Sequence, residues 1–132
     1  MPKITVEVPI SAQCLCDILS AAFEGGINYW LSTYETSHPS TLTTLPKGER
    51  LECQYMAPAY GGTVRLYSTD LDETEGPYLL NQGNLLTAIS RAAKEGRFQI
   101  EVYEGDLDAS DIDAEVADVI VQYAVLGEIV FG

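Results

Sequence analysis

Leu15, Ile18, Leu19, Ala22 and Phe23 recur at i, i+3, i+4, i+7 and i+8, the spacing of one face of an amphipathic helix. Just before them, Ile4, Val6 and Val8 alternate with Thr5 and Glu7, the spacing of a half-buried strand over Lys3 to Val8. Both periods within two dozen residues commit the chain to a mixed architecture. Pro9 separates the two stretches, and Ser11 is placed to accept from the first free amides of the helix. Gly25-Gly26 is expected to end it, because glycine accepts the left-handed conformation of a helix C-cap.

The same reasoning runs along the rest of the chain. Ile27 to Tyr34 is aromatic and β-branched and reads as a strand. Residues 35 to 48 hold Ser37, His38, Pro39, Ser40, Pro46 and Gly48 among threonines, and are expected to form a long, mobile polar loop. Arg50 to Met56 and Thr63 to Thr69 read as two strands joined through Ala57 to Gly62. Asp70 to Pro77 is an acidic loop. Asn84 is a candidate cap for a second helix that turns Leu85, Leu86, Ile89, Ala92 and Ala93 inward and stops at Gly96. Phe98, Ile100 and Val102 suggest a short strand. Ser110 followed by Asp113 suggests a capping box for a third helix with Ile112, Val116, Val119, Ile120, Tyr123 and Leu126 on its apolar face. Gly127 stops it, and Ile129 to Phe131 can return to the sheet. The expected fold is α+β, residues 1–132 forming a single domain with an antiparallel β-sheet packed with two or three α-helices.

Charge is distributed very unevenly. The 132 residues carry 20 acids and 7 bases, a formal charge of -13. An apolar content of 46% is nevertheless enough to fold around a core. After Arg97 there are nine carboxylates and no Lys or Arg. Eight of the nine (Glu101, Glu104, Asp106, Asp108, Asp111, Asp113, Glu115 and Asp118) fall within 18 residues. A field of this sign repels nucleic acid and anionic membrane and attracts basic protein surfaces. Asp111, Asp113, Glu115 and Asp118 are partly explained by the dipole of the third helix, which favours carboxylates in its first turn. Glu101 to Asp108 precede that helix and lack this explanation. Asp70, Asp72, Glu73 and Glu75 form a second cluster. Among eight tyrosines, Tyr60 and Tyr103 lie beside turn or acidic positions and are candidate contact residues.

Residue sets for catalysis or metal binding are not evident. His38 is the one histidine and neighbours no cysteine motif, and neither a P-loop nor a dinucleotide fingerprint occurs. Cys14 and Cys16 point about 200° apart on a helix, so they do not share a metal on one face. Three cysteines, Cys14, Cys16 and Cys53, read as reduced thiols of a reducing compartment. Glu104, Asp106, Asp108 and Glu115 echo a calcium loop, but Ala109 stands where that loop turns on glycine. The expectation is a non-enzymatic protein with no cofactor and no metal. The start, MPKITVEVPI, lacks the apolar region of a signal peptide, and no stretch approaches the roughly 20 apolar residues of a membrane span. A cytoplasmic location follows as an expectation.

Two segments carry a resemblance. Ala22-Phe23-Glu24-Gly25-Gly26-Ile27-Asn28-Tyr29-Trp30, and the ending from Ala117-Asp118 through Gln122 to Gly127-Glu128-Ile129-Val130-Phe131-Gly132, resemble a family of small phage and prophage proteins. Leu126 stands where that family commonly has phenylalanine, and the middle from Tyr34 to Tyr78 carries no likeness. The resemblance implies a phage context, in which small acidic proteins often inhibit bacterial defence, anti-CRISPR proteins among them. Together with the charge it implies a protein that binds a host defence protein, for example a CRISPR effector subunit, and blocks its basic nucleic-acid-binding surface. It would touch nucleic acid and membrane not at all, and a second copy of the chain is a candidate partner. The alternatives are a nucleotide-signal sequestering protein using Asn28, Tyr29, Trp30, Arg91, Lys94 and Arg97, and a host-takeover or virion-assembly factor.

Overall fold

A computed structural model describes residues 2–4, 6–37 and 51–132. His38, the polar loop from residue 38 onward and Arg50 lie outside the described residues. The fold is α+β, as the two periodicities require.

Helix α1 spans Ala12–Ala21, and Ser11 is its N-cap, the side chain accepting from the Cys14 amide at 3.1 Å. Cys14, Leu15, Cys16, Ile18 and Leu19 are all buried. The two cysteines do diverge around the helix, yet α1 is covered on both sides by neighbouring elements. The helix does not end on a left-handed glycine. It widens into a π turn over Ala22–Gly26, closed by the Ile27 amide on the Ala22 carbonyl at 2.9 Å. Neither Gly25 nor Gly26 has a positive φ. Gly26 is required for a different reason: a Cβ there would collide with the Ala114 carbonyl.

The predicted strand from Ile27 to Tyr34 is displaced. Residues 27–30 form a turn that buries Ile27 and Trp30, and strand β1 spans Thr33–Ser37. The expected strand from Arg50 to Met56 is replaced by a 3-10 helix, Gln54–Tyr60, which buries Tyr55, Ala57, Pro58 and Ala59. Pro58 cannot donate to a sheet ladder, and Gly61 at φ 92 supplies the left-handed exit. Strand β2, Thr63–Tyr67, therefore pairs not with a hairpin neighbour but with β1, Thr33 facing Tyr67 and Ser37 facing Thr63. Strand β3, Tyr78–Leu80, for which the sequence offered no signal, completes a three-stranded antiparallel sheet in the order β1-β2-β3. Val64, Leu66 and Leu80 point into the core.

Helix α2, Gln82–Lys94, starts one turn before the expected cap. Asn81 is the N-cap, and Asn84 at the third position returns the bond, each side chain meeting the other's backbone amide at 2.9 Å. Leu85, Ala88, Ile89 and Ala92 face inward, whereas Leu86, expected inside, is exposed. Phe98 is buried, but pairing begins only at β4, Val102–Tyr103, which forms a hairpin with β5, Asp106–Leu107. Glu104 and Gly105 turn it with φ of 51 and 80, the sign that a type I′ turn requires. Helix α3, Ala114–Leu126, opens at Asp113, which accepts from the Val116 amide at 2.9 Å, and not at Ser110. It stops at Gly127, φ 78.

Two expected terminal strands are absent among the described residues. Segment 6–10 belongs to no strand, with Val6 71% exposed. Residues 129–131 fold back over Trp30, whose ring stacks on Phe131 at 5.1 Å. The core lies where α1, α2, α3, the 3-10 helix and the inner face of the sheet converge on Ile18, Leu19, Ile27, Leu66, Leu80, Leu85 and Ile120. Among the described residues, no helix is long and apolar enough to cross a membrane.

Candidate functional site: an acidic cleft

The β4–β5 hairpin is latched onto the start of α1 by one carboxylate. Asp106 accepts from the Ser11 amide at 2.7 Å and from the Ser11 hydroxyl, while Leu107 donates to the Pro9 carbonyl at 2.9 Å. The Ser11 hydroxyl thus serves α1 and the hairpin at once. These bonds, led by that of the Ser11 side chain, hold the Asp106 carboxyl below its ordinary pKa, against the opposing effect of desolvation. Asp108 is tied down in turn by the Ser110 amide at 2.9 Å, and the Ser110 bonds likewise lower its pKa.

The latch opens a cleft of about 640 Å³ between α1 and the hairpin. Its lining includes Asp17, Glu104, Asp106 and Asp108, together with Gln13, Cys14 and Tyr103, and no Lys or Arg. Tyr103 is 69% exposed at the rim. Asp17 accepts from Gln13 one helical turn back, at 3.0 Å. The Cys14 thiol, at the cleft wall, is pushed up to about 11, first by burial and then by the charges of Asp106, Asp17 and Asp108. A thiol so protonated is a poor nucleophile. Among the described residues, no group of three or more His, Cys, Asp or Glu is arranged to hold a metal ion. What the cleft can accept is a larger cation with its own hydrogen-bond donors, such as a guanidinium or an ammonium group.

Of the acids expected to bind a partner, Glu104, Asp106 and Asp108 meet here, with Tyr103 beside them. Glu101, Asp111 and Glu115 are exposed nearby in sequence but do not line the cleft. Asp113 is the α3 cap. The expectation that Glu101 to Asp108 lack a structural role is corrected, since Asp106 and Asp108 both hold local structure.

Asp118 is corrected more sharply. It is buried, and it accepts from the Tyr29 hydroxyl at 2.6 Å, the Trp30 indole at 2.9 Å and the Gln122 amide at 2.9 Å. Gln122 is fully buried, and its carbonyl oxygen takes the amides of Val130 and Phe131 at 2.8 and 2.9 Å. The Tyr29-Trp30 stretch, the Asp118 and Gln122 positions of α3 and the C-terminal tail therefore meet in one satisfied polar cluster. Because its donors and acceptors are matched internally, it reads as a structural clasp for the tail. Nothing about a charge on Asp118 distinguishes it in sequence from its exposed neighbours. The clue that existed was the i, i+4 pair of polar residues, Asp118 and Gln122, on a helix whose neighbouring positions beyond the first turn are apolar.

The second acidic cluster is separate. Asp72 caps a short 3-10 turn, Glu73–Glu75, accepting from the Thr74 hydroxyl at 2.6 Å and the Thr74 amide at 2.8 Å, and these bonds, the hydroxyl's first, lower its pKa. Glu73 lines another cavity, with Arg65, Tyr67 and Tyr78. Asp70 and Glu75 are exposed outside both cavities. Tyr60 is half-buried against the Cys16 thiol at 3.8 Å and does not line the cleft. Sequence reasoning missed Gln13, Cys14 and Asp17, which enter the site from α1 and carry no signal without knowledge of what packs there.

Two of the three basic residues offered for ligand capture, Arg91 and Arg97, are engaged elsewhere. Arg91 donates to the Gly127 carbonyl at 2.7 Å and lies 3.8 Å over the Tyr123 ring, while Arg97 meets Glu95 and the Tyr123 hydroxyl, each at 3.1 Å. Trp30 is buried. Compared with known proteins, the chain matches no family model, no curated protein and no solved structure.

Proposed function

We propose that this chain is a non-enzymatic binding protein whose acidic cleft and surrounding carboxylates occupy a basic surface on another protein. The observation that carries the reading is the cleft: four carboxylates, an exposed aromatic rim and no neutralising base. Two of the four are held in place by their capping bonds, so part of the negative field is preorganised. Narrowed by the resemblance to phage proteins, the partner is a bacterial defence protein, such as a CRISPR effector subunit, whose nucleic-acid groove is blocked in the host cytoplasm. Basic grooves that bind phosphates present the cations such a surface needs.

Ligand sequestration is the weaker reading, since Arg91 and Arg97 are bonded within the chain and the net charge opposes an anion. The test neutralises only carboxylates without a capping role: Asp17→Asn, Glu101→Gln, Glu104→Gln and Asp111→Asn together. A bacterial protein captured by the parent chain should bind this variant far more weakly, and the parent should displace nucleic acid from it. Equal capture by the variant, or simultaneous binding of nucleic acid and the parent chain, rejects the proposal.

A further inference from the structure

Leu107 of the hairpin also lines a second groove, of about 480 Å³, with a different character. Val6, Val8 and Ile10 of the N-terminal segment, Leu86, Ile89 and Ala93 of α2, and Phe98, Ile100 and Leu107 line it. Val6 is 71% exposed, Ile100 52% and Leu86 37%. Val102, the first residue of β4, is also 52% exposed. Large apolar side chains exposed together mark an interaction surface more often than an ordinary solvated one. The alternating segment that the sequence presents as a strand is the same one left without a sheet.

Charge decides what covers it. Glu7 and Lys94 are the two charged residues in the groove lining, and neither forms an ion pair among the described residues. The groove is therefore locally neutral on a chain of charge -13, whereas the cleft carries four carboxylates and no base. A basic partner is drawn to the cleft, and an acidic one finds a single unpaired ammonium. A two-fold axis makes every contact reciprocal, so one acid and one base on the same apolar patch become two complementary pairs. We propose that this face is a self-association surface: two copies pack their grooves together, Glu7 of each copy against Lys94 of the other.

The salt response is characteristic. Two chains of the same large charge repel outside the groove, and added salt screens that repulsion, so the dimer tightens as salt rises. Binding of a basic partner in the cleft weakens under the same change, which keeps the two surfaces experimentally distinct.

Sedimentation equilibrium on the whole chain, from micromolar to sub-millimolar concentration at low and high salt, tests this. The expected result is a shift from one to two chain masses that salt favours. Ile100→Lys and, as a second exposed position, Val6→Lys should abolish it while circular dichroism stays unchanged. Lys94→Glu should weaken the dimer by about tenfold or more, and adding Glu7→Lys should restore it. A single-chain mass under every condition, or a dimer that both lysine variants leave intact, overturns the proposal.

Discussion

Asp118 and Gln122 show how much one buried polar pair can hold. Gln122 binds the amides of Val130 and Phe131 and the carbonyl of Phe131, so Gln122→Leu leaves those backbone groups without their partner. A loss of about 2–3 kcal/mol is expected from such orphaned groups. Urea unfolding followed by the fluorescence of Trp30, the one tryptophan in the chain, reads it directly. Asp118→Leu should cost a similar amount and also shift the Trp30 emission, because the indole N–H loses its acceptor. Tyr29 adds a pH signature. Its phenol is pushed up to about 12, first by burial and then by Asp118. Its stabilising effect is thus complete below the ordinary tyrosine value near about 10 and disappears as pH rises toward the folded value. Tyr29→Phe should flatten that alkaline loss in pH-dependent unfolding.

At the level of elements, the joint between the π turn and α3 leaves no room for a side chain at Gly26. Gly26→Ala drives a methyl group into the Ala114 carbonyl, which belongs to backbone and has little freedom to move. Destabilisation of about 1–3 kcal/mol is expected from such overpacking, whereas Gly25→Ala, where a Cβ would sit 3.7 Å from the Ala114 methyl, should be mild. The caps are partly legible in residue type and spacing. Ser11 stands where its residue type and the following apolar period place it, and so does Gly127. Asn81 is passed over in favour of Asn84 because both are good caps and only the actual reciprocal bonds choose between them. The 3-10 helix escapes a reading by propensity because Tyr55, Met56 and Ala57 suit either state locally. Pro58 falls in the expected connection and so gives no warning against the strand before it, and the packing beside α1 decides the matter.

The whole molecule should lose its hairpin attachment in acid. Asp106 is held below the ordinary carboxylate value, chiefly by Ser11. Its contribution is therefore present above the unfolded pKa near about 3.9 and is lost as pH falls through the lower folded value. Ser11→Ala should reduce this acid dependence and also cost α1 about 1 kcal/mol as a lost cap. Thermal melts from neutral pH down to strongly acidic pH, parent against variant, separate the two effects. High salt should leave this short-range latch nearly untouched while it weakens a basic partner held by exposed Asp17, Glu101 and Glu104.

From the sequence alone came the mixed α+β class, the three principal helices, the sign of the field and the lack of any recognisable catalytic motif. Those features depend on the period of apolar residues, on caps within one turn and on composition, all of them short-range or additive. The tertiary structure decided which carboxylates are free to meet a partner. Asp106 is bound by a residue 95 positions away and Asp118 by one 88 positions away. A carboxylate buried as an acceptor and one exposed as a contact are the same letter in the chain. Only the folding that brings donors to one of them tells the two apart.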